Sequence, residues 1–187
     1  MKFCSQCGAP VTLRIPPGDN LPRHVCATCG SVHYQNPKVV AGCIPEWRGQ
    51  ILLCRRSIEP RYGLWTLPAG FMENNESTVQ AAAREALEEA NAVVENLSLY
   101  AVYSLTHISQ VYMMFRGDLQ EGQASAGHES LEVRLFAEQD IPWQDMAFPV
   151  IGETLRRYYE ERRNGRYTLQ MGDITRDASG QVFIHRY

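Results

Sequence analysis

The sequence contains no apolar run of about 18 residues, so it predicts no transmembrane helix. It has no long basic stretch and its formal net charge is −3, which argues against a surface built for nucleic acid. The first residues lack the apolar core of a signal peptide. We therefore expect a cytoplasmic protein with neither a membrane nor a nucleic-acid partner. At 44% hydrophobic and 21% charged over 187 residues, the composition is that of a globular domain with a small addition.

Six cysteines need an explanation, because structural disulfides are rare in the cytoplasm. Four of them form two C-x2-C pairs, Cys4 with Cys7 and Cys26 with Cys29. This spacing favours a closed Cys4 zinc site that stabilises a zinc ribbon over residues 1–35 and takes no part in catalysis. A disulfide framework or a pair of redox motifs is the alternative interpretation. Cys43 and Cys54 lie singly in apolar runs and are predicted to be small core residues.

From residue 36 onward, β-favouring runs and amphipathic runs follow one another. Strands are predicted at 39–46, 51–55, 93–103, 110–119 and 131–136, with helices at 77–90 and 150–163 and a loop at 63–70. The order of these elements favours an α+β sandwich with a mixed sheet over residues 36–165. The tail, 166–187, contains two strand-like pieces whose packing the sequence does not predict.

Three acidic residues share one face of the first predicted helix. Glu85, Glu88 and Glu89 are three and four positions apart, and no lysine occurs between Ser77 and Val102 to neutralise them. A cation is therefore expected in front of this face, and hard carboxylate oxygens suit Mg²⁺ or Mn²⁺. A plain acidic surface helix is the alternative. The opposite face is predicted to pack on a sheet through these residues: Val79, Ala82, Ala83, Ala86 and Ala90.

The segment around this helix also carries a recognisable motif. From Gly70 onward it reads Gly-x5-Glu-x7-Arg-Glu-x2-Glu-Glu, which resembles the Nudix box. Together with the four cysteines, the chain resembles zinc-ribbon Nudix hydrolases, the group of NADH pyrophosphatases and especially of plant chloroplast FAD/ADP-ribose pyrophosphatases. The resemblance implies a Nudix α/β/α sandwich. Asn91 stands where the box usually has Gly, and asparagine also tolerates the left-handed conformation of a helix stop.

The resemblance implies a set of metal ligands and an activity. Glu85, Glu88 and Glu89 would bind Mg²⁺ or Mn²⁺ together with the Gly70 carbonyl, and Arg84 would orient the carboxylates. The expected reaction is metal-assisted hydrolysis of the diphosphate bond in a nucleoside diphosphate derivative, which releases a nucleoside monophosphate.

Further glutamates are candidates for supporting roles. Glu76 would brace the loop that precedes the helix. Glu129, in a glycine-containing loop, is the favoured general base and a further metal ligand, since such a loop can close on substrate. Glu132 is the second candidate for the catalytic set, as a base or as a brace. Either of the last two could instead be an ordinary surface acid.

Candidate substrate contacts are less strongly marked in the sequence. Arg55 and Arg56 follow a strand and could meet phosphates, although exposed arginines are often only solvated. Trp65, Tyr112 and Phe148 could stack on an adenine or a flavin, although each could equally belong to the core.

The identity of the substrate is the least determined property. Ser109-Gln110 continues into Val-Tyr-Met-Met and not into the proline-rich signature of NADH pyrophosphatases, which argues against NADH. The resemblance to the plant group implies FAD or ADP-ribose as the substrate. A nucleotide-sensing regulator and an RNA or capped-RNA binder that uses the zinc ribbon are the alternatives from other classes. The resemblance further implies a homodimer.

Overall fold

Two units of chain, Met1–Pro37 and Lys38–Tyr187, make up the computed structural model, which describes all 187 residues. The first unit is a three-stranded antiparallel sheet of β1 (Val11–Arg14), β2 (Arg23–Cys26) and β3 (Val32–His33). Gly8 and Gly30 follow the cysteine pairs with φ of 76° and 75°, and each amide donates back to the first cysteine of its pair. Glycine adopts this left-handed conformation without strain, so both turns have a suitable residue directly after the cysteine pair, in agreement with the predicted ribbon.

The second unit is built on a nine-stranded mixed sheet. Its main order is β10-β5-β4-β9-β8-β11-β12, with β6 paired to β5 and β7 to β4; the pairs β4–β9 and β8–β11 are parallel. The strands are β4 (Lys38–Trp47), β5 (Gln50–Arg56), β6 (Trp65–Thr66), β7 (Ala69–Phe71), β8 (Val94–Leu105), β9 (Gln110–Leu119), β10 (Ser130–Phe136), β11 (Gln170–Arg176) and β12 (Val182–Arg186).

Two helices, α1 (Thr78–Ala90) and α2 (Pro149–Asn164), cover opposite faces of this sheet. Successive residues of a strand point to opposite faces. On β5, Leu52 therefore joins the apolar cluster under α1, whereas Ile51 and Leu53 join the cluster under α2. The predicted α+β sandwich with a mixed sheet is thus confirmed. Neither helix is long and apolar enough to cross a membrane.

The predicted strands and helices are found within a few residues of their expected ends, but the segment 63–70 is more ordered than a loop. It contains β6 and the start of β7, which pair with β5 and β4. The short length of these strands hides them from a periodicity argument, because two or three residues cannot show an alternation. Cys43 and Cys54 are buried and unpaired, as predicted.

Helix α1 begins and ends at clear capping residues. Ser77 accepts a hydrogen bond from the Gln80 amide while the Gln80 side chain accepts one from the Ser77 amide, which completes a capping box. Asn91 ends the helix in the left-handed conformation with φ of 46°. The expectation that Val79 packs on the sheet is wrong, because its side chain is exposed. The buried positions are Ala81, Ala82, Glu85, Ala86, Glu89 and Ala90.

The C-terminal segment completes the sheet. β11 runs parallel to β8 and β12 returns beside it as a hairpin. Arg186 of β12 donates to both carboxylate oxygens of Glu153 at 2.8 and 3.2 Å, and Glu153 is only 1% exposed on α2. The hairpin is therefore fixed both to the sheet and to a helix.

Candidate functional site

A cleft of about 1100 Å³ opens beside α1 in the second unit. Its walls come from α1, from β7, from the loop 126–129 and from the ends of several strands. Large concave sites of this kind are where ligands usually bind. The lining of the cleft includes carboxylates as well as aromatic, apolar and basic side chains.

Two carboxylates on α1 are buried at the edge of this cleft. Glu85 is 8% exposed and Glu89 is 6% exposed, whereas Glu88 is exposed to solvent. The small side chains of Ala82 and Ala86 let the helix lie close to the sheet, which draws its acidic edge inward. Gly70 lies directly against this edge, because a Cβ there would overlap with the Glu85 carboxylate.

The Arg84 guanidinium connects the carboxylates to the preceding loop. It donates to Glu76 at 2.8 and 3.0 Å, to Glu85 at 2.8 Å and to Glu88 at 2.9 Å. These hydrogen bonds, chiefly the ones to Glu76, raise the pKa of Arg84 and lower the pKa of Glu76 to about 2. Glu76 also accepts from the Glu73 amide at 2.6 Å. The planar Arg84 guanidinium thus holds three carboxylates and the preceding loop in position.

Glu89 is held in an environment that disfavours its charge. Burial, followed by the nearby charge of Glu85, raises its pKa to about 8. Burial likewise raises the pKa of Glu85. The Oε2 atom of Glu89 is buried and has no hydrogen-bond partner, which is unusual for a native carboxylate. A divalent cation at this position would complete the coordination of that oxygen and compensate both charges, so the donor set fits Mg²⁺ or Mn²⁺.

The loop that follows β9 brings a fourth glutamate to the cleft. Gly127 donates to the Glu89 carbonyl at 3.0 Å, and a Cβ on it would overlap with the Glu88 carbonyl. Glu129, two residues later, lines the cleft, and its charge contributes to raising the pKa of both buried glutamates. Glu132 lies outside the cleft, exposed on β10 and 3.8 Å from Arg55.

The candidate substrate residues divide into two groups. Arg56, Tyr112 and Phe148 line the cleft, with the Arg56 guanidinium 5.2 Å from the centre of the Phe148 ring. The other two lie outside it. Arg55 donates to the Gly63 carbonyl at 2.9 Å, and Trp65 packs edge-on against Phe136 with ring centres 4.9 Å apart.

The cleft also contains residues that the sequence did not single out. His107 lies in a short 3-10 helix, Thr106–Ile108, whereas Ile174 and Arg176 come from β11. His128 precedes Glu129 in the loop. No local motif marks them. His107, Ile174 and Arg176 reach the cleft through pairing between β8 and β11, which are far apart in sequence, and His128 reaches it through the loop.

In the first unit, the four cysteine sulfurs lie within 4.8 Å of one another. The Cys4–Cys29 and Cys7–Cys26 sulfur distances are 3.6 and 3.5 Å, which is too long for disulfides. Hydrogen bonds from Ser31 lower the pKa of Cys29 to about 6. His33 Nε2 lies 3.3 Å from the Cys4 sulfur. Four convergent soft donors, some with a stabilised thiolate, fit a tetrahedral zinc ion.

Comparison with known families gives two adjoining matches. A zinc-ribbon model described as "Nudix N-terminal" matches residues 2–35, and a model described as "NUDIX domain" matches residues 36–158. Among solved structures, a NUDIX hydrolase from Nitrosomonas europaea is 63% identical with a TM-score of 0.91, covering 94% of this chain and 100% of that one. The C-terminal hairpin lies beyond both family matches.

Curated relatives are more distant. The NAD-capped RNA hydrolase NudC of Photobacterium profundum is 30% identical over 140 residues, which are 73% of this chain and 49% of that protein. The ADP-ribose pyrophosphatase of Methanocaldococcus jannaschii is 31% identical over 115 residues, which are 58% of this chain and 67% of that protein. The chain spans about half the length of the NudC relatives that it matches.

Proposed function

The chain belongs to the Nudix hydrolase family, and on that premise we propose that it hydrolyses the diphosphate of an ADP-ribose-like nucleotide with the help of Mg²⁺ or Mn²⁺. One observation carries the proposal. Glu85 and Glu89 are buried side by side on one edge of a helix, and Glu89 presents an oxygen with no protein partner. Such an arrangement is costly in a protein that binds no cation.

The residues that would hold the cations are Glu85, Glu88, Glu89 and Glu129, with the Gly70 carbonyl. When bound, divalent cations neutralise the diphosphate and lower the pKa of the attacking water. Arg84 keeps the carboxylates in position through its hydrogen bonds to Glu85 and Glu88.

The remaining steps belong to side chains of the chain itself. Glu129 accepts a proton from the water while the oxygen of that water attacks one phosphorus, and the anhydride P–O bond at this phosphorus breaks. The other phosphate leaves with the bridging oxygen. Arg56, which faces the cleft beside Phe148, binds a phosphate oxygen. The products are a nucleoside monophosphate and a sugar phosphate.

ADP-ribose is the favoured substrate, and FAD is the next. A cleft of about 1100 Å³ has room for a diphosphate and for the groups on both of its ends. Phe148 is partly exposed at the cleft and offers aromatic surface for a planar base, whereas Tyr112 lines the cleft but is 8% exposed. The relative from M. jannaschii is named an ADP-ribose pyrophosphatase, which supports this choice.

The four cysteines would bind a structural Zn²⁺. The first unit buries few apolar side chains, among them Val25, Cys4 and Cys26. A segment of that size needs a metal or a cross-link to fold. A tetrahedron filled by four thiolates leaves no open position for a substrate, so this ion has a structural role.

A second candidate is hydrolysis at an NAD-capped RNA end, because several relatives, including those from Photobacterium profundum and Vibrio cholerae, carry that name. A nucleotide-sensing regulator is a weaker alternative, since all the carboxylates of the box are retained. The expected homodimer stays a prediction, which sedimentation of the purified chain would check.

The test is a panel of ADP-ribose, FAD, NADH and an NAD-capped RNA oligonucleotide, each with Mg²⁺ and with Mn²⁺. We expect the highest kcat/KM for ADP-ribose and a loss of at least about 100-fold in Glu85→Gln and Glu89→Gln. Glu132→Gln is the matched control and should stay within about twofold of wild type. If the protein hydrolysed none of the compounds in the panel, the proposal would be contradicted.

A further inference from the structure

We propose that the C-terminal hairpin supplies a sugar subsite to the cleft, in which Arg176 and His107 bind the hydroxyl groups of the sugar on the far side of the diphosphate. This inference rests on the proposed function and goes beyond it, because it assigns Arg176, a residue outside the matched Nudix domain, to substrate selection. It also names the chemistry that they recognise.

The first observation is a contact between two distant parts of the chain. His107 Nδ1 lies 3.2 Å from the Ile174 carbonyl oxygen, so the 3-10 helix is joined to β11. Arg176 lies two residues beyond Ile174 on the same strand, and residues two apart share one face of a strand. His107, Ile174 and Arg176 all line the cleft. They therefore form one local cluster on its wall.

The hydrogen bond also determines which ring nitrogen is available. A carbonyl oxygen can only accept, so His107 Nδ1 carries the proton. In the neutral ring, Nε2 is then an acceptor. Arg176 has only donors, and its guanidinium makes no ion pair within 4.0 Å. A free acceptor beside a free set of donors suits a hydroxyl, which both donates and accepts, better than it suits a phosphate.

The rest of the cleft offers groups for both the base and the sugar. Phe148 is partly exposed at the cleft and gives aromatic surface, which favours a planar base. Ile108, next to His107 in the chain, is 49% exposed and gives aliphatic surface on which a sugar ring can pack. The cleft therefore has a group suited to each part of such a substrate.

The hairpin is rigid enough to present such a subsite. β11 pairs with β8 at four positions, from Gln170 to Asp173. Arg186 of β12 is hydrogen bonded to the buried Glu153, and the Tyr187 hydroxyl donates to Asp173 at 2.6 Å. Binding groups fixed by secondary structure lose little entropy when a ligand binds.

The experiment compares two ligands that share ADP but differ in the sugar. ADP-ribose is the substrate, and the β-methyl ester of ADP, which has the same diphosphate and no second sugar, is measured as a competitive inhibitor. Arg176→Ala should raise the KM for ADP-ribose about tenfold with kcat nearly unchanged, and leave the Ki of the methyl ester within about twofold. His107→Phe, which keeps an aromatic ring but removes both the Nε2 acceptor and the Nδ1 hydrogen bond to Ile174, should show the same pattern.

Arg166→Ala is the matched control, because Arg166 is also exposed in the C-terminal segment but does not line the cleft. It should change neither constant. Equal losses for the two ligands in Arg176→Ala, or no loss for either, would overturn the sugar subsite while the hydrolase activity stands. A wild-type protein that releases no AMP from ADP-ribose would overturn both the subsite and the proposed substrate.

Discussion

The backbone at Gly70 lies against the carboxylate of Glu85, so closely that a Cβ at position 70 would overlap with both carboxylate oxygens. Glycine is therefore required at this point of β7 because a larger residue would overlap with a neighbouring side chain. Its backbone is not in the left-handed conformation. The relationship makes the strand and the helix interdependent, because neither can shift without moving a proposed metal ligand. It leads to the first prediction.

Gly70→Ala should abolish activity without unfolding the protein. The added methyl group must push the Glu85 carboxylate away from Arg84 and from the proposed metal position, and small displacements of such groups are costly in rate. We expect kcat/KM for ADP-ribose to fall by at least about 100-fold, with Tm lowered by only a few degrees. Gly152→Ala in α2, where the nearest atom is the flexible end of Arg156 at 3.3 Å, is the control. An active Gly70→Ala enzyme would contradict the placement of Glu85.

Metal binding should depend on pH through Glu89. Its pKa in the metal-free fold is raised from 4.5 to about 8, chiefly by burial. The folded state therefore prefers the protonated form, and the metal-free protein loses stability as the pH rises from about 4.5 through 8. A cation binds the ionised form, so Mg²⁺ affinity should increase with pH up to about 8 and then level off.

The measurement is the Mg²⁺-induced increase in Tm at pH 6, 7, 8 and 9. It should be larger at the upper end of this series, and a shift independent of pH would count against the assignment. Glu89→Gln cannot ionise at this position. It should be more stable than wild type at pH 9 without metal, and should show little increase in Tm when Mg²⁺ is added.

Much of this carboxylate site is predictable from the sequence because its residues are close in the chain. Helical periodicity alone brings Glu85 to the same side as Glu89. Their burial could not be predicted in this way, and the misassigned Val79 shows why. The helix turns its alanine stripe and its acidic edge toward the sheet together, and that rotation depends on how β4 and β5 pack beneath it.

The part of the cleft next to β11 was not predictable. His107 and Arg176 are 69 residues apart in the sequence (107 to 176), and each is unremarkable where it stands. They line the same cleft because β11 enters the sheet parallel to β8, and a parallel pairing between distant segments leaves no short-range pattern. Trp65 illustrates the reverse case: an aromatic residue next to the motif belongs to the core, packed against Phe136.

Arg186→Ala should destabilise the second unit through Glu153. Removing the guanidinium leaves a carboxylate that is 1% exposed without its partner. Because Arg186 itself is half exposed, the loss should be about 1–3 kcal/mol in the free energy of unfolding measured with urea, less than for a fully buried pair. The double variant Glu153→Gln/Arg186→Ala should recover part of this loss. An Arg186→Ala protein as stable as wild type would mean that the hairpin is held by strand pairing alone.

Removal of zinc should affect the first unit and leave the second folded. The sulfurs of Cys4, Cys7, Cys26 and Cys29 form one cluster, and few apolar side chains are buried around it. Without a metal the thiolates repel one another, and the turns at Gly8 and Gly30 are no longer stabilised by metal coordination. We expect one zinc per chain by elemental analysis, and none in Cys29→Ser/Cys26→Ser. Hydrogen exchange in residues 1–37 should then become fast, while the strands of the second unit stay protected.

Cys54→Ser, at a buried cysteine outside the cluster, is the control that should retain the metal. A zinc-free wild-type chain with a protected first unit would show that the ribbon folds without an ion, and a disulfide framework would then have to be considered again.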